Sequence, residues 1–109
     1  MSSVAGKLPT FDEFSLLVHS TFRVSYDGNE VFQACLQSVE DAGSNESLES
    51  FRLLFAAPHE APQEQGIYAL EHEDLGTLSI FLVPIERNRD GLVYEAVFNI
   101  LKATSNARV

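Results

Sequence analysis

The chain is poor in basic residues, in cysteine and in long hydrophobic runs, and each shortage excludes a class of protein. Its 109 residues carry 7 Lys and Arg against 16 Asp and Glu, a formal net charge of -9. Such a charge opposes the phosphate contacts that dominate nucleic-acid affinity and the attraction to anionic membrane surfaces. We therefore expect neither nucleic acid nor a membrane among the partners.

Cysteine and continuous apolar sequence are equally scarce. Cys35 is the only cysteine, so an intramolecular disulfide is impossible, and its apolar neighbours predict a small buried residue rather than a reactive thiol. No run reaches the roughly 18 apolar residues of a membrane-spanning helix, and the first residues lack the pattern of a signal peptide. A cytoplasmic protein is the expectation, with export as part of a larger assembly left open.

Motifs that carry catalysis or cofactor binding are also missing. No serine stands in a glycine-flanked elbow, and the 6 glycines are isolated rather than gathered in a phosphate loop. Carboxylate pairs such as Glu71 with Glu95 arise by chance in so acidic a chain. We predict no catalytic residue, no metal site and no cofactor, with a small hydrolase kept as the second alternative function.

The densest polar cluster runs from Glu71 to Asp74, with His59 and Glu60 nearby in sequence. Imidazole and carboxylates could hold a divalent metal ion. In a strand, however, Glu71 and His72 point to opposite faces, and no second histidine stands at a ligand spacing. A solvated acidic turn is the preferred interpretation.

The clearest pattern that is present is a β-hairpin from Gly76 to Asn99. Residues 78–85 are apolar on both alternate sets except at Ser79, which predicts a strand covered on both faces, and residues 92–100 alternate as its partner. Pro84 cannot donate to a ladder and is expected near the strand end. The core residues predicted from this hairpin are Tyr94, Phe98, Phe81 and Leu82.

Earlier segments predict one helix and further strands. Thr10 to Glu13 has the form of a capping box, so a short helix should begin there and bury an apolar stripe that starts at Phe11. Residues 30–40 fit a helix as well as a strand, and the preceding Asp27-Gly28 turn favours the strand. The other predicted strands are 21–26, 50–57 and 66–72.

Together these elements predict a mainly β domain of about six antiparallel strands, closed as a small barrel or stacked as a sandwich, with one short N-terminal helix. Residues 1–9 are interpreted as a flexible lead-in, 10–102 as a single β-rich domain and 103–109 as a frayed tail. Unless the sheet closes, residues 21–26 and 93–101 are the candidate unpaired edges, which invite another protein or a second copy to pair with them.

The preferred function is therefore a non-enzymatic protein-interaction or accessory structural domain. The first alternative is a small-ligand-binding β-barrel, whose cavity Tyr68, Phe81, Tyr94 and Phe98 could line, although such aromatic sets more often form a core. The candidate ligand-binding residues are Tyr68, His72, Tyr94 and Glu95.

Four stretches of the sequence carry a family resemblance: FDEFSLLVHSTFRV, SFRLLFAAP, QGIYALEHEDLGTLSIFLVPI and YEAVFN. Across residues 10–99 they resemble a family of small bacterial proteins described as a domain of unknown function. The resemblance implies an association with gene neighbourhoods that encode phage-tail-collar-type fibre proteins, and hence an accessory or interaction role in a phage-tail-like or fibre assembly. This sequence differs from the resemblance at His19, where the family has Gly, at the corner between helix and strand.

Overall fold

A computed structural model describes residues 9–26 and 30–101, with one short helix ahead of six strands. The elements are α1 (Phe11–Ser15), β1 (Thr21–Tyr26), β2 (Glu30–Asp41), β3 (Leu48–Ala57), β4 (Gly66–His72), β5 (Gly76–Asn88) and β6 (Gly91–Leu101). The prediction of a mainly β fold with one N-terminal helix is confirmed, and residues 30–40 belong to a strand. Residues 1–8 of the predicted lead-in and the predicted tail lie outside the described residues.

The strands pair antiparallel in one sheet that closes as a barrel in the order β1-β2-β3-β6-β5-β4. Closure comes from β1 and β4, which pair from Arg23 opposite Glu71 to Tyr26 opposite Tyr68. The sequence predicts an unpaired edge at residues 21–26 only if the sheet stays open, and in the closed sheet Arg23–Tyr26 pairs on both sides. Sequence patterns within β1 could not show this, because its second partner lies more than forty residues further along the chain.

Helix α1 begins with the predicted capping box. Thr10 Oγ1 accepts a hydrogen bond from the Glu13 amide at 3.1 Å, and Glu13 Oε1 accepts one from the Thr10 amide at 2.9 Å. The helix is only five residues long, but it buries Phe14 completely. It therefore acts as a plug that places one aromatic side chain inside the closed sheet.

The predicted two-sided burial of β5 is wrong. Ile80 and Leu82 face the interior with 2% and 1% of their surface exposed, whereas Phe81 between them is 48% exposed. In a closed single-layer sheet each strand has one face inside and one outside, so an apolar run does not require two covered faces. Of the predicted core residues, Tyr94 and Leu82 are confirmed, Phe98 is partly buried against the core, and Phe81 belongs to the outer surface.

Pro84 lies within β5 rather than at its end. The β5–β6 register shifts between Pro84 and Glu86, so the missing N–H falls at a bulge, where a ladder can lose a donor. Just before this point β5 changes partner: its residues up to Leu82 pair with β4, and those from Val83 onwards pair with β6. The predicted position of Pro84 is thus corrected, and the bulge marks a bend in the strand.

Two large aromatic groups occupy much of the interior, and Phe22 packs separately against Phe55 with ring centroids 5.4 Å apart. Phe51 has ring neighbours in Phe11, Phe14 and Phe98, with centroids 5.1–6.0 Å apart, next to α1. A second group consists of Tyr26, Phe32, Tyr68 and Tyr94, linked by centroid distances of 4.6–6.4 Å. Cys35 is only half-buried, between the inward-facing Ala34 and Leu36, so the prediction that it is a buried apolar residue is corrected.

His19 occupies the left-handed region at φ 80°, at the corner between α1 and β1. Its amide donates to the Leu36 carbonyl at 2.7 Å, and the Leu36 amide donates to the Ser20 carbonyl at 3.1 Å, so β2 holds this corner in place. A Cβ in the left-handed region costs roughly 1–2 kcal/mol, which glycine avoids.

We expect His19→Gly to raise the free energy of unfolding by about 0.5–1 kcal/mol, because relief of backbone strain exceeds the extra unfolded-state entropy of glycine. Urea unfolding followed by circular dichroism measures the change. His19→Val is the control, since a β-branched side chain tolerates positive φ poorly and should lower stability. A His19→Gly variant no more stable than the parent would show that the corner is not strained.

Candidate interaction surface

Two of the predicted ligand-binding residues, Tyr68 and Tyr94, come together in the interior. Both side chains are fully buried, and their ring centroids lie 5.6 Å apart. The Tyr68 hydroxyl donates to the Glu64 carbonyl and the Tyr94 hydroxyl donates to the Pro62 carbonyl. These hydrogen bonds hold the connection between β3 and β4 against the barrel. Both tyrosines therefore have a structural role.

His72 lies elsewhere and has other partners. Its Nδ1 accepts a hydrogen bond from the Asp74 amide at 3.0 Å, so in the neutral ring Nε2 carries the hydrogen and donates it to Ser20 Oγ at 3.1 Å. Ser20 Oγ in turn donates to the Leu17 carbonyl at 2.5 Å. His72 is 7% exposed while Glu71 is exposed, which confirms that the two side chains point to opposite faces.

Glu95 is on the outer face of the sheet, away from the two tyrosines. Its Oε2 lies 2.9 Å from Arg52 Nη1, and Glu40 Oε1 lies 2.7 Å from Arg52 Nη2. The hydrogen bonds that Arg52 donates to Glu40 and, with a smaller effect, to Glu95 raise the pKa of its guanidinium. The three residues connect β2, β3 and β6, and the bonded Glu95 does not converge with Tyr68 and Tyr94.

The residues of the acidic cluster also separate. His59 bonds the Arg89 carbonyl through Nε2 at 2.6 Å, whereas His72 bonds Ser20. Over residues 9–26 and 30–101, no group of three or more His, Cys, Asp or Glu side chains is arranged to hold a metal ion.

The most distinctive feature of the ring is an opening between β5 and β6. Val83 pairs with Glu95, and continuing that register would bring Phe81 beside Val97, but the ladder stops there. Within the described part of the chain, Gly76–Leu82 pairs only with β4 and Ala96–Leu101 pairs only with β3. We call these two facing segments the β5–β6 seam.

Exposed apolar side chains flank the seam. Phe81 is 48% exposed on β5, and Val97 and Leu101 are 55% and 77% exposed on β6. Ile67, which is 60% exposed, lies directly opposite Phe81 in the β4–β5 ladder. Exposed apolar side chains beside unpaired backbone are typical of a surface that another polypeptide covers.

Helix α1 packs an aromatic side chain against β6 next to the seam. Phe14 stacks on Phe98 of β6 at 5.8 Å and approaches Phe51 of β3 at 6.0 Å. A barrel of six strands has a narrow interior, and the fully buried Phe14 fills part of it beside β6. Both segments of the seam lack charged residues, a sequence feature that indicates an uncharged surface but not where the pairing stops.

Residues 9–98 match a family described as Domain of unknown function (DUF6916). The chain belongs to this family. No curated protein matches the chain, and no solved structure matches it.

The DUF6916 match extends from the residue before the α1 cap to Phe98 of β6, so it contains all of the β5 side of the seam and half of the β6 side. Most residues of the seam therefore lie within the matched part of the chain. In the portion of the chain that the structure describes, no helix has the length and apolarity needed to cross a membrane.

Proposed function

We propose that this DUF6916 domain is a non-enzymatic protein-interaction domain that holds a protein partner at the β5–β6 seam. The observation that carries the proposal is the exposure of Phe81 and Val97 beside two strand edges that have no ladder partner among the described residues. Burying apolar side chains of this size stabilises a complex, and free strand edges supply the backbone donors and acceptors for pairing.

The interior supports the interaction domain over a ligand-binding barrel. Tyr68, Tyr94 and Phe32 pack against one another in the space that a ligand would need. The tyrosine hydroxyls already donate to backbone carbonyls. Binding in this space would require the β3–β4 connection to leave both tyrosines.

The hydrogen-bond directions argue against a hydrolase that uses Ser20 and His72. A catalytic histidine needs a basic nitrogen beside the serine hydroxyl. Here the basic nitrogen, Nδ1, accepts from the Asp74 amide, and the nitrogen beside Ser20 carries the hydrogen. Ser20 Oγ itself donates a hydrogen bond to the Leu17 carbonyl. The bond between His72 and Ser20 therefore joins β4 to the segment after α1.

The assembly that the domain serves is proposed from the resemblance described above: a phage-tail-like or fibre assembly, in which the domain is an accessory component. A cytoplasmic location agrees with the single cysteine. The negative charge of the chain favours rapid association with a basic partner.

The proposal is tested by capture from host extract on the immobilised full chain, with each retained protein quantified. Phe81→Ser combined with Val97→Ser should reduce retention of the specific partner about tenfold or more, the loss of at least 1.4 kcal/mol of binding energy. Val31→Ser is the matched control, because Val31 is 54% exposed on the outer face of β2, away from the seam. Partner retention unchanged in the double variant, or no specific partner at all, would refute the proposal.

A further inference from the structure

We propose that the seam binds an extended apolar segment of another protein, which pairs as an added strand with the edge of β6. The segment carries basic residues at the end of the seam next to Gly76. This inference rests on the proposed function and names the chemistry of the partner. It is carried by three features of the seam: its backbone, its two side-chain layers and the position of charge around it.

The backbone of β6 provides the pairing edge. From Leu48 opposite Leu101 to Leu53 opposite Ala96, this part of β6 uses one edge for β3. Its other edge faces the seam, where the described residues provide no second ladder. A β-strand has hydrogen-bonding groups on both edges, so an incoming extended segment can complete the ladder that β5 leaves.

The side chains beside this edge require apolar residues on both faces of the incoming strand. On the outer face, an added strand would contact Phe81 and Val97, which are about half exposed. On the inner face it would contact the partly buried residues Leu78, Phe98 and Ile100, which already pack against the core. Because alternate side chains of a strand point to opposite faces, both sets of the partner segment must be apolar.

The charges place the basic residues of the partner. Neither segment of the seam contains a charged residue. Glu73 and Asp74 are exposed immediately before Gly76, at the end of the seam that is furthest from the Val83–Glu95 pair. Lysine or arginine next to the apolar segment would lie near these carboxylates. A second copy of the chain fits less well, because it would bring another net charge of -9 to the same acidic end.

A synthetic peptide, Lys-Lys-Val-Ile-Val-Leu-Val-Ile with a fluorescent label, tests the inference by anisotropy titration with the full chain. Two control peptides change one property each: one replaces both lysines by glutamates, and the other is methylated on alternate backbone nitrogens. We expect each change to weaken binding about tenfold or more. We also expect Phe81→Ser to weaken binding of the parent peptide and Val31→Ser to leave it unchanged.

Charge reversal in the protein gives a second readout. Glu73→Lys combined with Asp74→Lys should weaken binding of the lysine peptide and strengthen binding of the glutamate peptide. A merely structural effect would change the binding of both peptides in the same direction. Undiminished binding of the methylated peptide would overturn strand addition, and an unaltered charge preference would overturn the basic flank.

The capture experiment separates this inference from the proposed function. Partner retention that depends on Phe81 and Val97, together with no binding of the lysine peptide, would overturn strand addition and leave the interaction domain standing. No specific partner in the capture experiment, together with no binding of the lysine peptide, would overturn both strand addition and the interaction domain. A dimer in light scattering that becomes a monomer in Phe81→Ser would make a second copy the occupant and overturn the choice of a basic partner.

Discussion

Replacing Gly91 by alanine is expected to lower the free energy of unfolding by about 3–5 kcal/mol, through backbone strain and a forced shift of β3. Gly91 has φ 144°, a backbone conformation that residues other than glycine rarely adopt. A Cβ there would lie 2.0 Å from the Ala57 carbonyl oxygen and 3.2 Å from its carbon. Both atoms belong to the backbone of Ala57, the last residue of β3, so a side-chain rotation cannot relieve the contact.

Urea unfolding followed by circular dichroism measures the effect, with Gly76→Ala as the matched control. Gly76 also has a positive φ, 77°, but a Cβ there would meet no atom within 4 Å. The control should therefore lose only the roughly 1–2 kcal/mol of left-handed strain. Equal losses in the two variants would show that the approach of Gly91 to Ala57 is not tight in solution.

Truncating Phe51 to alanine is expected to cost about 3–5 kcal/mol, the range for a large aromatic side chain removed from a core. Phe51 is fully buried, and its ring lies 5.8 Å from Phe11, 6.0 Å from Phe14 and 5.1 Å from Phe98. The cavity would lie where α1, β3 and β6 meet. Thermal and urea unfolding both measure the loss.

Phe81→Ala is the control for this truncation, because it removes the same atoms from a side chain that is 48% exposed. We expect it to cost less than about 1 kcal/mol, as surface substitutions usually do. Similar losses in Phe51→Ala and Phe81→Ala would mean that the outer face of β5 is covered in the free protein, and the seam would then not be available to a partner.

Local patterns in the sequence predicted the elements that depend on neighbouring residues. The capping box of Thr10 and Glu13 needs only a four-residue segment, and the alternation of β4 from Ile67 to His72 needs only its own period. The burial of Tyr94 followed from the same kind of alternation in β6. These features could be predicted because the interactions that decide them are close in sequence.

The features that were missed depend on distant pairing. Phe81 and Leu82 are equally apolar, and the choice of which faces inward comes from the registers of β5 with β4 and β6. The four candidate ligand-binding residues illustrate the same limit. Sequence could suggest that Tyr68 and Tyr94 share a face, but not that Arg52 binds Glu95 or that Ser20 accepts from His72. The seam exists because the pairing of β5 with β6 stops at Val83 and Glu95. The residue pattern of a single strand does not show where a neighbouring strand diverges from it.

The pairing of β3 with β6 also bears on how quickly the protein folds. Leu48 pairs with Leu101 and Ala57 with Leu92, so the longest ladder joins segments that are tens of residues apart. Closing such loops costs entropy before the contacts that offset it can form, and barrels dominated by non-local pairs fold in milliseconds to seconds. A nascent chain that ends before β6 would therefore leave the β6-facing edge of β3 unpaired and its inner face exposed until the last strand has been made.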